Sequence, residues 1–294
     1  MNSDQRSRAA LVKANRVRKK VLERRYTFDS CRDDLDLARS VSDGTTPNMK
    51  QGDPNFHAYA ATLNVAGTFA TQALDLLELT AFNNKLADLQ ESYMPGYPPL
   101  SPVTTSLFQA WMILDGTDSA TSLSIGQLFA DYAATDNSMA DLREALDVLN
   151  ASYCSFYEVT HVGENRIKLW DIPGRKEIFG WNSSGYSGQV GEVWYVRVLP
   201  PILSQSDCWV TLNTPYVFRK GGRRPWEEFF ERVMKLADGS NSVPQNYLKY
   251  GKFLGYWLEF VFQAYCSHND NAIFVAGFPD KPDSLPHSEH GQKL

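Results

Sequence analysis

The chain has 294 residues, 43% of them hydrophobic, with seven Trp, fourteen Tyr and sixteen Phe. That much apolar surface can bury one large core or two ordinary ones, which excludes an intrinsically disordered chain. A net charge of −5 excludes bulk attraction of the whole protein to nucleic acid or anionic membrane. The charge is uneven, however: residues 1–25 hold nine Lys or Arg against Asp4 and Glu23, a local charge of about +7 that leaves about −12 for the remainder.

From Ser7 to Arg25 there is neither Gly nor Pro, and Leu11, Ala14, Val17 and Val21 recur at helical spacing, which predicts a basic amphipathic helix. A second helix is expected from Asp29 or Ser30 through Val41, ended by Gly44 and Pro47. Asp53-Pro54 is a helix opening, with a side chain able to accept from early amides and a proline where no N–H is needed. That helix is expected to run toward Tyr93, with Gly67 or Asn83-Asn84 as possible interruptions, and to stop in the Pro-rich connector 94–102. Within it, residues 58–74 lack charge but include Thr62, Asn64, Thr68, Thr71 and Gln72, too polar for a bilayer and suited to close helix packing. Helical spacing returns over 104–114, 122–134 and 138–152.

Around Phe156 the pattern changes to short β-rich runs at 156–162, 166–172, 176–181, 190–199 and 209–218. Gly163-Glu164-Asn165 and Pro173-Gly174 are hairpin turns, and 183–188 is a longer loop. Five strands in so short a span predict a small antiparallel barrel or curled sheet. In the fourth run the charge of Arg197 predicts that Val193, Tyr195 and Arg197 face solvent, leaving Trp194, Val196 and Val198 buried. Helix is expected again from Pro225 to Gly239 and, without a break, over 244–266; the tail after Gly277 reads as unstructured. The expected fold class is α+β, mainly helical with one small antiparallel β-barrel-like or curled-sheet module. Its segments are a helical region 1–155, the β module 156–222, C-terminal helices 223–276 and a tail 277–294.

In the first helix, Arg16, Arg18, Lys19, Lys20, Arg24 and Arg25 have the charge to neutralise phosphates, and equally to pair with acidic protein surface. Arg219, Lys220, Arg223 and Arg224 form a second basic cluster around Gly221-Gly222, beside Trp226, which could stack on a base or fill an interface. The carboxylates Asp33, Asp34 and Asp36, and Glu227, Glu228 and Glu231, lack the spacing of a calcium loop and read as solvated surface. His57, His161, His268, His287 and His290 do not form a ligand set, so no metal and no cofactor is predicted. Cys31, Cys154, Cys208 and Cys266 lie far apart and read as reduced. Phosphate loops, dinucleotide turns and the GxSxG and HExxH signatures are all missing; Cys154 or Cys208 could still act as a nucleophile with His161 if the fold brings them together, although cysteines in aromatic surroundings are more often packing residues.

Certain features recur together: Phe108 with Trp111, a helix containing Phe129, Tyr157-Glu158-Val159, Leu169 with Asp171 and Gly174, and Gly191-Glu192-Val193 leading to Arg197-Val198-Leu199-Pro200. In these, residues 107–218 resemble an uncharacterised bacterial domain that is sometimes linked to C-terminal SEC-C zinc motifs; the cysteine-rich motif itself is missing here. The resemblance implies helices followed by a small barrel in a bacterial cytoplasmic setting, and it implies no activity. The charged start of the chain likewise points to the cytoplasm. The sequence therefore leads to a non-enzymatic intracellular binding or adaptor protein with a protein partner and no membrane association. A nucleic-acid-associated protein using the basic N-terminal helix is the alternative, and an enzyme whose site assembles only in the fold is a second.

Overall fold

The computed structural model describes residues 3–44, 52–96, 101–164, 166–184, 186, 188–218, 222–236 and 243–266. The chain forms two compact units that interleave in sequence. The first comprises Met1–Asp88, Gln109–Ala151 and Ile202–Ser206; the second comprises Leu89–Phe108, Ser152–Pro201 and Asp207–Leu294.

The first unit is helical. Helix α1 (Ser3–Glu23) buries Ala14, Val17 and Val21, whereas Leu11 of the same stripe is 60% exposed. A short 3-10 turn at Asp29–Cys31 leads into α2 (Arg32–Ser42). Helix α3 (Pro54–Ala73) opens as its sequence requires, with the Asp53 side chain accepting from the Asn55 amide at 2.9 Å. Its Ala58, Ala61, Ala66, Ala70 and Ala73 allow close approach of neighbours, while Tyr59, Val65 and Phe69 fill the core. The rings of Tyr26 and Phe129 lie 4.6 and 5.0 Å from that of Phe69. No helix among the described residues is long and apolar enough to cross a membrane.

The expected run from Asp53 toward Tyr93 is broken. It ends at Ala73, and α4 (Thr80–Tyr93) begins after a 3-10 turn at Leu77–Leu79. Neither Gly67 nor Asn83-Asn84 marks the break. Leu74 and Leu79 are buried on either side of Leu77, which is 83% exposed, so tertiary burial sets this corner without a local breaker. Helix α5 spans Thr105–Leu114. Helix α6 (Ile125–Ala133) has a reciprocal cap between Ser124 and Gln127. A 3-10 turn at Asn137–Leu142 precedes α7 (Arg143–Ala151), whose Arg143 guanidinium donates to the carbonyls of Ala133, Ala134 and Asp136 and so closes the C-terminal end of α6.

The second unit holds the β module. Strands β1 (Cys154–Val162), β2 (Arg166–Asp171) and β3 (Lys176–Trp181) form two hairpins. The Gly163 amide donates to the Arg166 carbonyl at 2.7 Å in the first turn, and the Gly174 amide donates to the Asp171 carboxylate at 3.1 Å in the second. Strand β4 (Val193–Leu199) pairs with β1, and β3 pairs in parallel with β5 (Trp209–Thr211), which also pairs with β4. The result is a closed five-stranded barrel, mixed and not wholly antiparallel as expected, because its closing contact is the parallel one.

The predicted run 209–218 is two strands. Strand β6 (Tyr216–Phe218) continues along the same edge of β4 after a two-residue slip in register. Asn213 bridges the slip, its Oδ1 accepting from the Arg197 amide at 3.2 Å, and Pro215 has no N–H to offer the ladder. Inside the barrel lie Tyr157, Val159, Ile167, Leu169, Ile178, Trp194, Val196 and Val198.

The expected solvent face of β4 is buried. All seven of its residues are buried, and Arg197 is only 1% exposed, its guanidinium donating to Ser152 Oγ at 2.7 Å. The even positions fill the barrel, and the odd ones lie under helices: Tyr195 stacks on Trp257 at 5.6 Å, and Phe156 of β1 stacks on Trp226 at 4.0 Å. Those helices are α8 (Arg224–Leu236), α9 (Val243–Tyr250) and α10 (Tyr256–Cys266). The continuous helix expected over 244–266 is therefore split. Gly251 and Gly255 adopt φ of +64° and +83°, left-handed conformations that end α9 and turn the chain into α10. Residues 237–242 and 267–294, including the expected tail, lie outside the described residues, as do Arg219, Lys220 and Gly221.

Candidate binding face

Helices cover the β1, β4 and β6 side of the barrel, and the side made by β2 and β3 carries a different set of residues. Period-2 alternation places Ile167, Leu169 and Ile178 inside, so Arg166, Lys168 and Trp170 of β2 and Glu177, Phe179 and Trp181 of β3 share the outer side. Register then sets them in three rows. Trp170 lies opposite both Glu158 and Glu177, Lys168 opposite His161 and Phe179, and Arg166 opposite Trp181. A bulge between Val159 and His161 brings His161 to its place beside Lys168.

The first row is occupied by Arg223. Arg223 sits over the Trp170 ring at 5.0 Å and pairs with Glu158 at 3.3 Å and Glu227 at 3.0 Å. The next row leaves an aromatic ring exposed. Phe179 is 40% exposed, the Arg166 guanidinium stands 5.3 Å from its ring centre, and Lys168 reaches Glu177 at 3.4 Å. A cation held over an exposed ring keeps that ring in place without covering both of its faces. Two cations, Arg166 and Lys168, thus stand beside Phe179 and Trp181, with Glu177 the acidic residue of the two strands on this side.

At one end of the barrel, Asp171 is buried, and burial pushes its carboxyl pKa up against the opposing effects of the Gly174 amide and the Lys176 charge. Burial raises the Tyr157 hydroxyl well above its ordinary value, with the Asp171 charge adding to the effect. The hydrogen bond from Gly174 makes Asp171 the anchor of the β2–β3 turn. Glu192 is likewise structural: its buried carboxylate accepts from Tyr186 Oη at 2.8 Å, Trp194 Nε1 at 3.0 Å and the Gln189 amide at 3.1 Å, tying the β3–β4 loop to the barrel.

The basic residues singled out in the sequence are mostly engaged within their own units. Arg16 pairs with Glu78 at 3.3 Å, Arg18 with Asp131 at 2.8 Å, and Lys19 and Lys20 with Glu23 at 3.7 and 3.9 Å. Arg24 lies 5.9 Å from the Tyr26 ring centre, and Arg25 is exposed. Arg224 pairs with Glu228 at 3.1 Å on the surface, while Trp226 is buried in the aromatic layer under the helices.

Most of the acidic residues have partners as well. Asp34 accepts from Asn64 and Asp36 faces Arg39, while Glu227, Glu228 and Glu231 each pair with an arginine. Among the described residues no three His, Cys, Asp or Glu side chains group closely enough to hold a metal ion. Cys154 and His161 sit seven residues apart on one strand, about 23 Å at the usual rise, which rules out that pairing. Cys208 is buried at 1% exposure, whereas His161 is exposed on the outer face.

The face formed by Arg166, Lys168, Phe179 and Trp181 went unnoticed in the sequence, although its signal, charged or aromatic residues at every second position of two adjacent runs, was there. Comparison of the chain with known protein families, curated proteins and solved structures found no match.

Proposed function

We propose that this chain is a non-enzymatic, intracellular binding protein whose recognition surface is the outer face of β2 and β3. One observation carries the reading: helices cover the β1–β4–β6 side of the barrel, while the β2–β3 side presents Phe179 at 40% exposure beneath the Arg166 guanidinium. Exposed aromatic rings cost hydration and are enriched, with arginine, where binding energy concentrates. In one class of five-stranded barrel, the OB-fold, the face of the second and third strands takes oligonucleotides and oligosaccharides. That parallel is architectural and is secondary to the residues themselves. The described cysteines Cys31, Cys154 and Cys208 are buried and form no disulfide, which fits a reducing compartment.

The test is retention by the immobilised full chain from an extract of its native host, comparing wild type with the Arg166→Glu/Phe179→Ser double variant. Both side chains are exposed, so circular dichroism should be unchanged. The reading requires that stoichiometric material retained by wild type be lost from the variant. Equal retention by both would refute it.

A further inference from the structure

Resting on that reading, we infer that the face binds a second copy of this chain, the two related by a twofold axis parallel to β2 and β3 that sets Lys168 of each copy against Phe179 of the other. Charge narrows the choice of occupant. Arg166, Lys168 and Arg223 on this side are matched by Glu158, Glu177 and Glu227, so these residues draw in neither a polyanion nor a polycation. A purely apolar partner would strip water from the same charges and put nothing in its place. What fits is a surface of equal mixture, with its cations and rings exchanged.

The register supplies that exchange. Lys168 stands directly across from Phe179, and Trp170 from Glu177. A half-turn about a line running between the two strands lays β2 of one copy over β3 of the other and keeps every row at its own level. Lys168 then meets the partner's Phe179, a ring held by its own Arg166 at 5.3 Å and still 40% exposed, with room for a second cation. In the row beside it, Glu177 meets the partner's Trp170 and the guanidinium of Arg223 that lies 5.0 Å from that ring. Each contact occurs twice, as a twofold requires. A half-turn about a line across the strands would instead set Lys168 against the partner's Lys168. Three residues per strand cover far less than the roughly 800 Å² per partner of a stable complex, so the dimer is weak and forms as concentration rises.

The test is sedimentation equilibrium of the full chain from about 1 μM to about 1 mM, a range that spans weak association. Wild type should pass from the mass of one chain toward that of two. Phe179→Lys sets like charges together at both symmetric contacts, and Lys168→Glu sets a carboxylate on both rings. Each alone should weaken association by about 5-fold to 30-fold. An equimolar mixture of the two variants should recover most of that loss, because the mixed dimer pairs the new lysine with the new glutamate and keeps one original contact. Phe179→Tyr should associate as wild type does. Both positions lie on the outer side of the barrel, so circular dichroism should be unchanged throughout.

The inference fails if wild type stays monomeric at every concentration, or if Phe179→Lys dimerises as wild type does. It also fails if the mixture associates no better than the stronger of its two components. In these cases, continued loss of extract material from the Arg166→Glu/Phe179→Ser variant would leave the binding face standing with a different occupant, another protein or a nucleic acid. Absence of that loss would remove both.

Discussion

Asn55 is fully buried near the start of α3, and one carboxamide holds a distant segment in place. Its Oδ1 accepts from the amides of Ile202 and Leu203, each at 2.9 Å, and its Nδ2 donates to the Ser206 carbonyl at 3.3 Å. Ser206 Oγ in turn donates to Asp53 at 2.6 Å. Asn55→Ala removes three hydrogen bonds at once. Each is worth about 0.5–1.5 kcal/mol net, and the orphaned groups belong to partly exposed residues that water can reach, so the loss should total about 2–3 kcal/mol. Urea denaturation measures that loss. Hydrogen exchange locates it, since the Ile202 and Leu203 amides should exchange faster while amides within the β1–β2 hairpin keep their protection. A stability change below about 0.5 kcal/mol with unaltered exchange at Ile202 and Leu203 would refute the reasoning.

Gly180 sits at the parallel closure of the barrel, where an added Cβ would lie 3.1 Å from the Trp209 carbonyl oxygen. Gly180→Ala should therefore cost about 1–3 kcal/mol in chemical denaturation, and an unchanged midpoint would contradict the closure. The Asp171 carboxyl pKa is raised on folding, so its favourable contribution is complete below the unfolded carboxylate pKa and is lost as pH rises through the folded one. Asp171→Asn keeps an acceptor for the Gly174 amide and removes that loss. Its melting temperature relative to wild type should climb from about pH 3 toward neutrality, and a flat or falling difference would overturn the assignment. The Arg18–Asp131 pair is well formed, but both side chains are more than a third exposed. Arg18→Ala should cost no more than about 1 kcal/mol, and the cost should shrink in salt; a larger, salt-independent loss in a thermal melt would mean that the pair is not acting as a surface ion pair.

Local chemistry made several elements legible in the sequence. Asp53-Pro54 announced α3, the glycines and prolines announced both hairpins, and period-2 patterning located β1 to β4. What escaped depended on partners far away in sequence. Arg197 reads as a solvent residue until helices are known to pack outside the barrel, where Tyr195 meets Trp257. The slip at Asn213 exists only relative to β4. The split of α9 from α10 has a local signal, because Gly251 and Gly255 bracket it, although the apolar stripe runs on across them. For the candidate face on β2 and β3, the residue types were visible on each run, but their opposition, Arg166 to Trp181 and Lys168 to Phe179, required the register.

The fastening of residues 202–206 to Asn55 also constrains the order in which the protein can mature. During synthesis α3 emerges early, yet the amides its carboxamide must satisfy lie almost 150 residues downstream, after β4. Until then Asn55 has only water for these bonds, and the first unit has to wait, incompletely fastened, while four strands of the other are translated. Contacts of such long range slow folding and prolong exposure of unfinished surface. A nascent chain stalled before Ile202 should therefore be easier to proteolyse within residues 52–74 than one released after Ser206.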